Sequence, residues 1–164
     1  MLLRSIVLMA ALSSTSAWAQ EPTRILFGSC MHQDKPTTIL TAINKVDADL
    51  FVFLGDNIYG DTEDMAILKK KYTKLGSKPE LVKLRERMPV IAIWDDHDFT
   101  IDDGWGGPEI NEPQWKIPVW QTFRNNWNNP YYAGGEQQPG CWFNFSMADV
   151  DFFMLDGRYY RTDP

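Results

Sequence analysis

Leu50-Phe51-Val52-Phe53-Leu54-Gly55-Asp56-Asn57-Ile58-Tyr59-Gly60-Asp61 is the stretch from which the rest of this chain can be read. Five apolar residues run from Leu50 to Leu54 without a polar break, the pattern of a central strand buried on both faces of a parallel sheet. Gly55 ends it, and Asp56 is the first residue past its carboxyl end, where open α/β sheets hold their ligands. Tyr59 leaves the same loop three residues later. A carboxylate and a phenolate are both hard oxygen donors for a multivalent cation. A Gly-Asp-Asn turn closing an ordinary strand explains the same residues without a ligand, so the neighbouring segments have to decide.

Working outward, Arg24 to Phe27 reads as a first strand ending at Gly28-Ser29-Cys30. Thr37 to Val46 follows as a helix with Ile39, Ile43 and Val46 on one face. Past the organising stretch, Thr62 reads as the N-cap of a second helix, with Glu63 and Asp64 in its first turn. Met65, Leu68, Tyr72 and Leu75 form its buried stripe, and Gly76 ends it. Pro79 to Met88 is a third helix opened by proline and stopped by Pro89. Val90 to Trp94 is then a third buried strand. The order β-α-β-α-α-β implies a mainly parallel sheet covered by helices, an α/β fold. Trp115 to Trp127 reads as helical despite Pro118, because Val119, Phe123 and Trp127 recur every four residues. Cys141 to Met147 and Asp151 to Leu155 read as a hairpin.

The first nineteen residues carry a different pattern: Arg4, the apolar Ile6 to Leu12, then Ala17-Trp18-Ala19 as a small-residue cleavage site. That is a secretory signal peptide, so residues 20–164 are expected to form one exported domain, periplasmic or secreted. With a net charge of −6, the chain has no basic surplus for nucleic acid or anionic lipid. No other segment is long and apolar enough to span a bilayer.

Four expected strands end in polar or metal-capable residues: Cys30, Asp56 with Tyr59, Asp95 to Asp98, and Asp156 with Arg158. In a parallel sheet the first three ends share one rim. Carboxylates crowded there repel one another, and a bound cation relieves that repulsion.

At these four places the chain resembles the PhoD-like alkaline phosphatases. The motifs are Gly28-Ser29-Cys30-Met31, Gly55 to Asp61, Ile93-Trp94-Asp95-Asp96-His97-Asp98-Phe99, and Leu155-Asp156-Gly157-Arg158-Tyr159-Tyr160-Arg161. The resemblance covers nearly everything after residue 19. It implies a calcineurin-like metallophosphatase sandwich, mixed β-sheets flanked by helices, related to the purple acid phosphatases. It implies hydrolysis of small phosphate esters, mono- or diesters, by a metal-activated hydroxide, with ferric iron (Fe3+) and calcium (Ca2+) as cofactors. Carried over by position, Cys30 and Tyr59 bind iron, Asp56 bridges iron to calcium, Asp96 is a ligand of the second metal and His97 is the catalytic histidine. Asn57, Asp95, Asp98, Asp156 and Arg158 are then substrate-binding or supporting residues. The family pattern also expects histidine ligands on later strands, whereas this chain has only His32 and His97, and Asp102 stands where relatives often carry Asn. The resemblance therefore reads these residues as the N-terminal part of a longer enzyme, its sheet incomplete at the C-terminus and its activity in isolation weak or absent.

Other readings of the same residues stand beside this one. Cys30 and Cys141 are an even pair in an exported protein, which by compartment alone suggests a disulfide; the ligand reading leaves Cys30 free and Cys141 a buried small hydrophobe. His32 reads as a surface loop residue. Asp95 and Asp98 could serve only to orient His97 or cap the loop, and Asp156 with Arg158 could form an internal ion pair. A different class altogether, a non-enzymatic binding module, uses Trp105, Trp115, Trp120 and Trp127 to stack on carbohydrate.

Overall fold

The computed structural model describes residues 23–163, so the segment expected to be a signal peptide lies outside the described residues. Leu50–Leu54 forms β2 with the bounds its apolar run suggests. It is the middle strand of a three-stranded parallel sheet, flanked by β1 (Ile25–Gly28) and β3 (Val90–Ile93). Ile25 is in register with Leu50 on one side, and Phe51 with Val90 on the other.

The continuous apolar run is explained by what lies on each face. Successive side chains of a strand alternate. Phe51 and Phe53 join the large core with Leu40 of α1 (Thr38–Ile43), Leu68, Tyr72 and Leu75 of α2 (Met65–Gly76), and Leu81 and Leu84 of α3 (Pro79–Arg87). Phe99 of α4 (Asp96–Phe99) and Val119, Trp120 and Phe123 of α5 (Lys116–Arg124) complete that layer. Leu50 and Val52 face the other way, onto Ile91, Phe143 and Met154. Phe143 and Met154 belong to an antiparallel hairpin, β4 (Phe143–Met147) and β5 (Val150–Met154), which forms a sheet of its own. Helices thus cover one face of the parallel sheet and a second sheet covers the other, the mixed α/β arrangement expected. Among the described residues, no helix is long and apolar enough to cross a membrane.

Local chemistry sets most boundaries. Pro79 stands at the start of α3, where its missing N–H has no intrahelical partner to lose. Pro118 is the third residue of α5, still within the first turn, so the helix tolerates it. Thr62 is not the cap of α2. Asp64 is: its Oδ1 accepts from the amides of Ala66 at 2.7 Å and Ile67 at 3.4 Å. Thr62 instead accepts from the Asp64 amide at 3.0 Å, ordering the turn before the cap.

Trp120 and Trp127 are buried in the core and Trp115 is packed against it, leaving only Trp105 well exposed. The four indoles therefore present no common face to a sugar, and the binding-module reading loses its motivation.

Candidate metal centre

The carboxyl ends of β1, β2 and β3 meet on one rim, and their loops continue to pair after the sheet ends. The Cys30 amide donates to Gly55 O at 3.2 Å and the Met31 amide to Asp56 O at 2.7 Å. On the far side, the Gly60 amide donates to His97 O at 2.8 Å and the Thr62 amide to Thr100 O at 2.9 Å. Two glycines allow this closeness. A Cβ on Gly55, whose φ is +102°, would lie 2.7 Å from the Cβ of Asp95, and one on Gly60 would lie 2.6 Å from His97 O.

Asp56, Asp96 and His97 converge so that one potential ligand atom from each lies within 4.8 Å of the others. Cys30 and Asp56 both adopt positive φ, 60° and 51°, which folds the thiol back so that Sγ donates to Asp56 Oδ2 at 3.5 Å. Non-glycine residues in that region carry strain that recurs at functional sites. The Tyr59 ring lies beside His97 with centroids 4.2 Å apart. The thiol, phenol, two carboxylates and imidazole named from the strand ends therefore do come together in one place.

The electrostatics show a site short of positive charge. Burial, above all, raises the Asp56 carboxyl; His97 and the Cys30 thiol pull the other way, but Asp96 and Asp95 add to the rise. Its Oδ1 is buried with no hydrogen-bond donor. Burial and the adjacent Cys30 thiol push the Tyr59 phenol up to about 12, so it stays protonated in water and needs a cation to become a phenolate. Asp96 behaves otherwise. Burial opposes its charge, but the Asp103 amide at 2.6 Å and the Arg158 guanidinium at 3.4 Å outweigh that and hold its carboxyl below the ordinary value. For His97 burial also opposes charge, yet the Asp61 carboxylate, 2.5 Å from Nδ1, raises the imidazole above its usual pKa. Asp102 lies 3.7 Å from Nε2.

Several supporting roles differ from the sequence reading. Asp61, not Asp95 or Asp98, holds His97, while Asp95 and Asp98 form a capping box at the start of α4, the capping role the sequence offered for them. Asp95 pairs with Arg158 Nε at 2.5 Å. Asp98 is fully buried and accepts from the amides of Asn57 (3.0 Å), Ile58 (3.3 Å) and Asp95 (3.2 Å), the Asn57 side chain (3.2 Å) and the Tyr72 hydroxyl (2.9 Å). It ties the β2 loop to the β3 loop. Asn57 in turn donates to Ile93 O at 2.8 Å, so it braces strands and is turned toward the protein interior. Asp156 makes no ion pair with Arg158. It accepts from Trp94 Nε1 (2.9 Å) and from the amides of Cys141 (2.8 Å), Arg158 (2.8 Å) and Tyr159 (2.9 Å), which fastens the last turn beneath β3. His32 is no free surface residue, for its ring stacks on Tyr59 with centroids 4.8 Å apart. Asp61 stood inside the organising stretch, so its proximity to Tyr59 in sequence was a signal; nothing in the sequence paired it with His97, 36 residues away.

Both cysteines are free, Cys30 exposed and Cys141 buried. Burial raises the Cys141 thiol well above its ordinary value. A thiol reagent is therefore expected to label Cys30 in the native protein and Cys141 only after unfolding. Mass analysis of denatured protein showing an unlabelled, oxidised pair would contradict this.

A parallel sheet whose strand ends gather thiol, phenol, carboxylates and imidazole on one rim defines an α/β protein with a candidate metal centre. The chain belongs to the PhoD-like phosphatase family, whose profile matches residues 25–164. In fold it is similar to a solved structure described as the structure of PhoD, with a TM-score of 0.69 over 86% of this chain at 17% identity. The chain spans 32% of that protein's length. No curated protein matches it.

Proposed function

We propose that Cys30, Asp56 and Tyr59 hold ferric iron, that Asp56 and Asp96 hold calcium, and that the site hydrolyses small phosphate esters. The observation that carries this reading is Asp56 Oδ1, a buried carboxylate oxygen without a hydrogen-bond donor, within a cluster that also brings in Asp96 and His97. Buried polar atoms in native proteins are rarely left unpaired, and an absent ion is one explanation when they are. The donor set suits the ions: thiolate and phenolate favour the trivalent metal, and carboxylate oxygen favours calcium.

When bound, the cations supply charge against the phosphate oxygens and acidify a water for attack at phosphorus. The chain's own residues do the rest. Asp61 holds Nδ1 of His97 and favours the protonated imidazole, positioned to give a proton to the departing alkoxide. Arg158 and the Asp103 amide keep Asp96 ionised and in place. The same proposal includes export, supported by the charge, apolar core and cleavage site of residues 1–19; intact mass of protein from the culture medium or periplasm should begin at Gln20.

Hydrolysis of an aryl phosphate by the chain loaded with iron and calcium, alone and extended with the C-terminal part of a relative, tests the activity; the chain alone is expected to turn over weakly or not at all and the extended form to be active. His97→Ala is expected to lower kcat by about a hundredfold or more, the usual contribution of a positioned acid. Equal turnover in the variant would remove His97 from the chemistry. Metal analysis showing stoichiometric zinc and no iron would remove the ligand assignment.

A further inference from the structure

The loop after β1 does more than deliver Cys30. Gln33 is a primary amide only 1% exposed, and both of its polar atoms reach the Tyr59 peptide. Oε1 accepts from the Tyr59 amide at 2.8 Å, and Nε2 donates to Tyr59 O at 3.2 Å and to Asp34 Oδ2 at 3.0 Å. The side chain thus imitates one rung of a β-ladder. From the opposite side Lys71 of α2 donates to Tyr59 O at 2.9 Å and Gly60 O at 2.8 Å. The ring is held as tightly as the peptide. His32 stacks on one side at 16° to its plane, and His97 lies near it at 33°. Nδ1 of His32 accepts from the Asp34 amide at 3.1 Å, and Asp34 meets Lys74 at 2.5 Å, which anchors the loop to α2.

We infer that His32 and Gln33 are positioning residues for Tyr59, fixing its ring and its peptide so that the phenol oxygen faces the cluster of Cys30, Asp56, Asp96 and His97. This role rests on the proposal that Tyr59 is a metal ligand. Neither side chain supplies an atom to the ion. A ring already stripped of side-chain freedom loses little more on ligation, and a ligand held by its surroundings keeps its angle to the metal.

The test uses the full chain, metal-free and loaded with ferric iron, in the variants His32→Ala, His32→Phe and Gln33→Leu. Tyr59→Phe identifies the Tyr59 ring signals in protein carrying 13C-labelled tyrosine. In the metal-free protein, His32→Ala should move those signals toward the positions of an unstacked tyrosine, and Gln33→Leu should speed exchange of the Tyr59 amide by about tenfold. In the loaded protein both should at least halve the visible tyrosinate absorbance per bound iron, and His32→Phe should restore it by restoring the stacked face. Ring signals and exchange that stay unchanged without metal would overturn the clamp. Changed signals with an undiminished band per iron would overturn its positioning role. Wild-type protein that shows no tyrosinate band refutes the ligand reading itself, a result visible before any variant is made.

Discussion

Asp98→Ala is expected to lower the unfolding free energy by about 4 kcal/mol, the scale of stranding several buried donors together. The reason lies in what the carboxylate joins. Its two oxygens take five hydrogen bonds from Asn57, Ile58, Tyr72 and Asp95, and four of the five come from residues buried along with it, Asn57, Ile58 and Tyr72. Burial pushes the Asp98 carboxyl up to about 7 in spite of those donors, so the environment tolerates the group only because it is so fully engaged. Alanine removes the acceptors and leaves a void. Asparagine keeps the volume but turns an N–H₂ toward N–H groups, and is expected to lose about half as much. Denaturant midpoints for the two variants provide the check. A loss under about 1 kcal/mol for Asp98→Ala would mean that the two loops are held by their backbone pairing alone.

Asp56→Asn is expected to separate function from stability. Iron and calcium uptake and ester hydrolysis should fall by about a hundredfold or more, beyond what loss of a supporting group produces. The metal-free protein should nevertheless unfold at an equal or higher denaturant concentration than the wild type. Burial disfavours the Asp56 charge and the carboxylates of Asp96 and Asp95 add to that, together outweighing the attraction of His97 and the Cys30 thiol, and Oδ1 has no donor to lose. An amide keeps the shape and an acceptor for the Cys30 thiol while removing the charge. A structural carboxylate behaves in the opposite way, as Asp98 should. If Asp56→Asn costs stability without metal and leaves metal uptake intact, the site is a turn and not a metal centre.

The two aspartates show where sequence reading stops. Both follow a buried strand within a few residues and count as polar strand ends, although the family resemblance makes Asp56 a metal ligand and Asp98 a supporting residue. Their difference comes from the loop geometry. Asp56 at φ 51° directs its side chain back over the rim toward Cys30, whereas Asp98, inside the short α4, turns inward beneath it. No composition or spacing rule distinguishes a carboxylate that points out from one that points in. Asp156 and Arg158 teach the same lesson: two residues apart in sequence, they serve different partners. Asp156 caps its own turn, and Arg158 crosses to Asp95 and Asp96, more than sixty residues away.

What the sequence by itself determined about this protein is local and periodic. The unbroken run of Leu50–Leu54 defined a strand needing cover on both faces, Pro79 and Pro89 bounded α3, and Gly76 closed α2. Four motifs at strand ends named the residues around the candidate metal centre. These features depend on side-chain alternation, backbone dihedrals and chain order, all of which are carried by neighbouring residues. Only the tertiary structure decided who holds whom: Asp61 on His97, Gln33 and His32 on Tyr59, and the second sheet rather than a helix against Leu50 and Val52. Those contacts join loops from different strands, and their distances follow from sheet register and from the close approach at Gly55 and Gly60. A shift of one residue in that register would turn each strand's side chains to the opposite face, so the partners exist only once the sheet has formed.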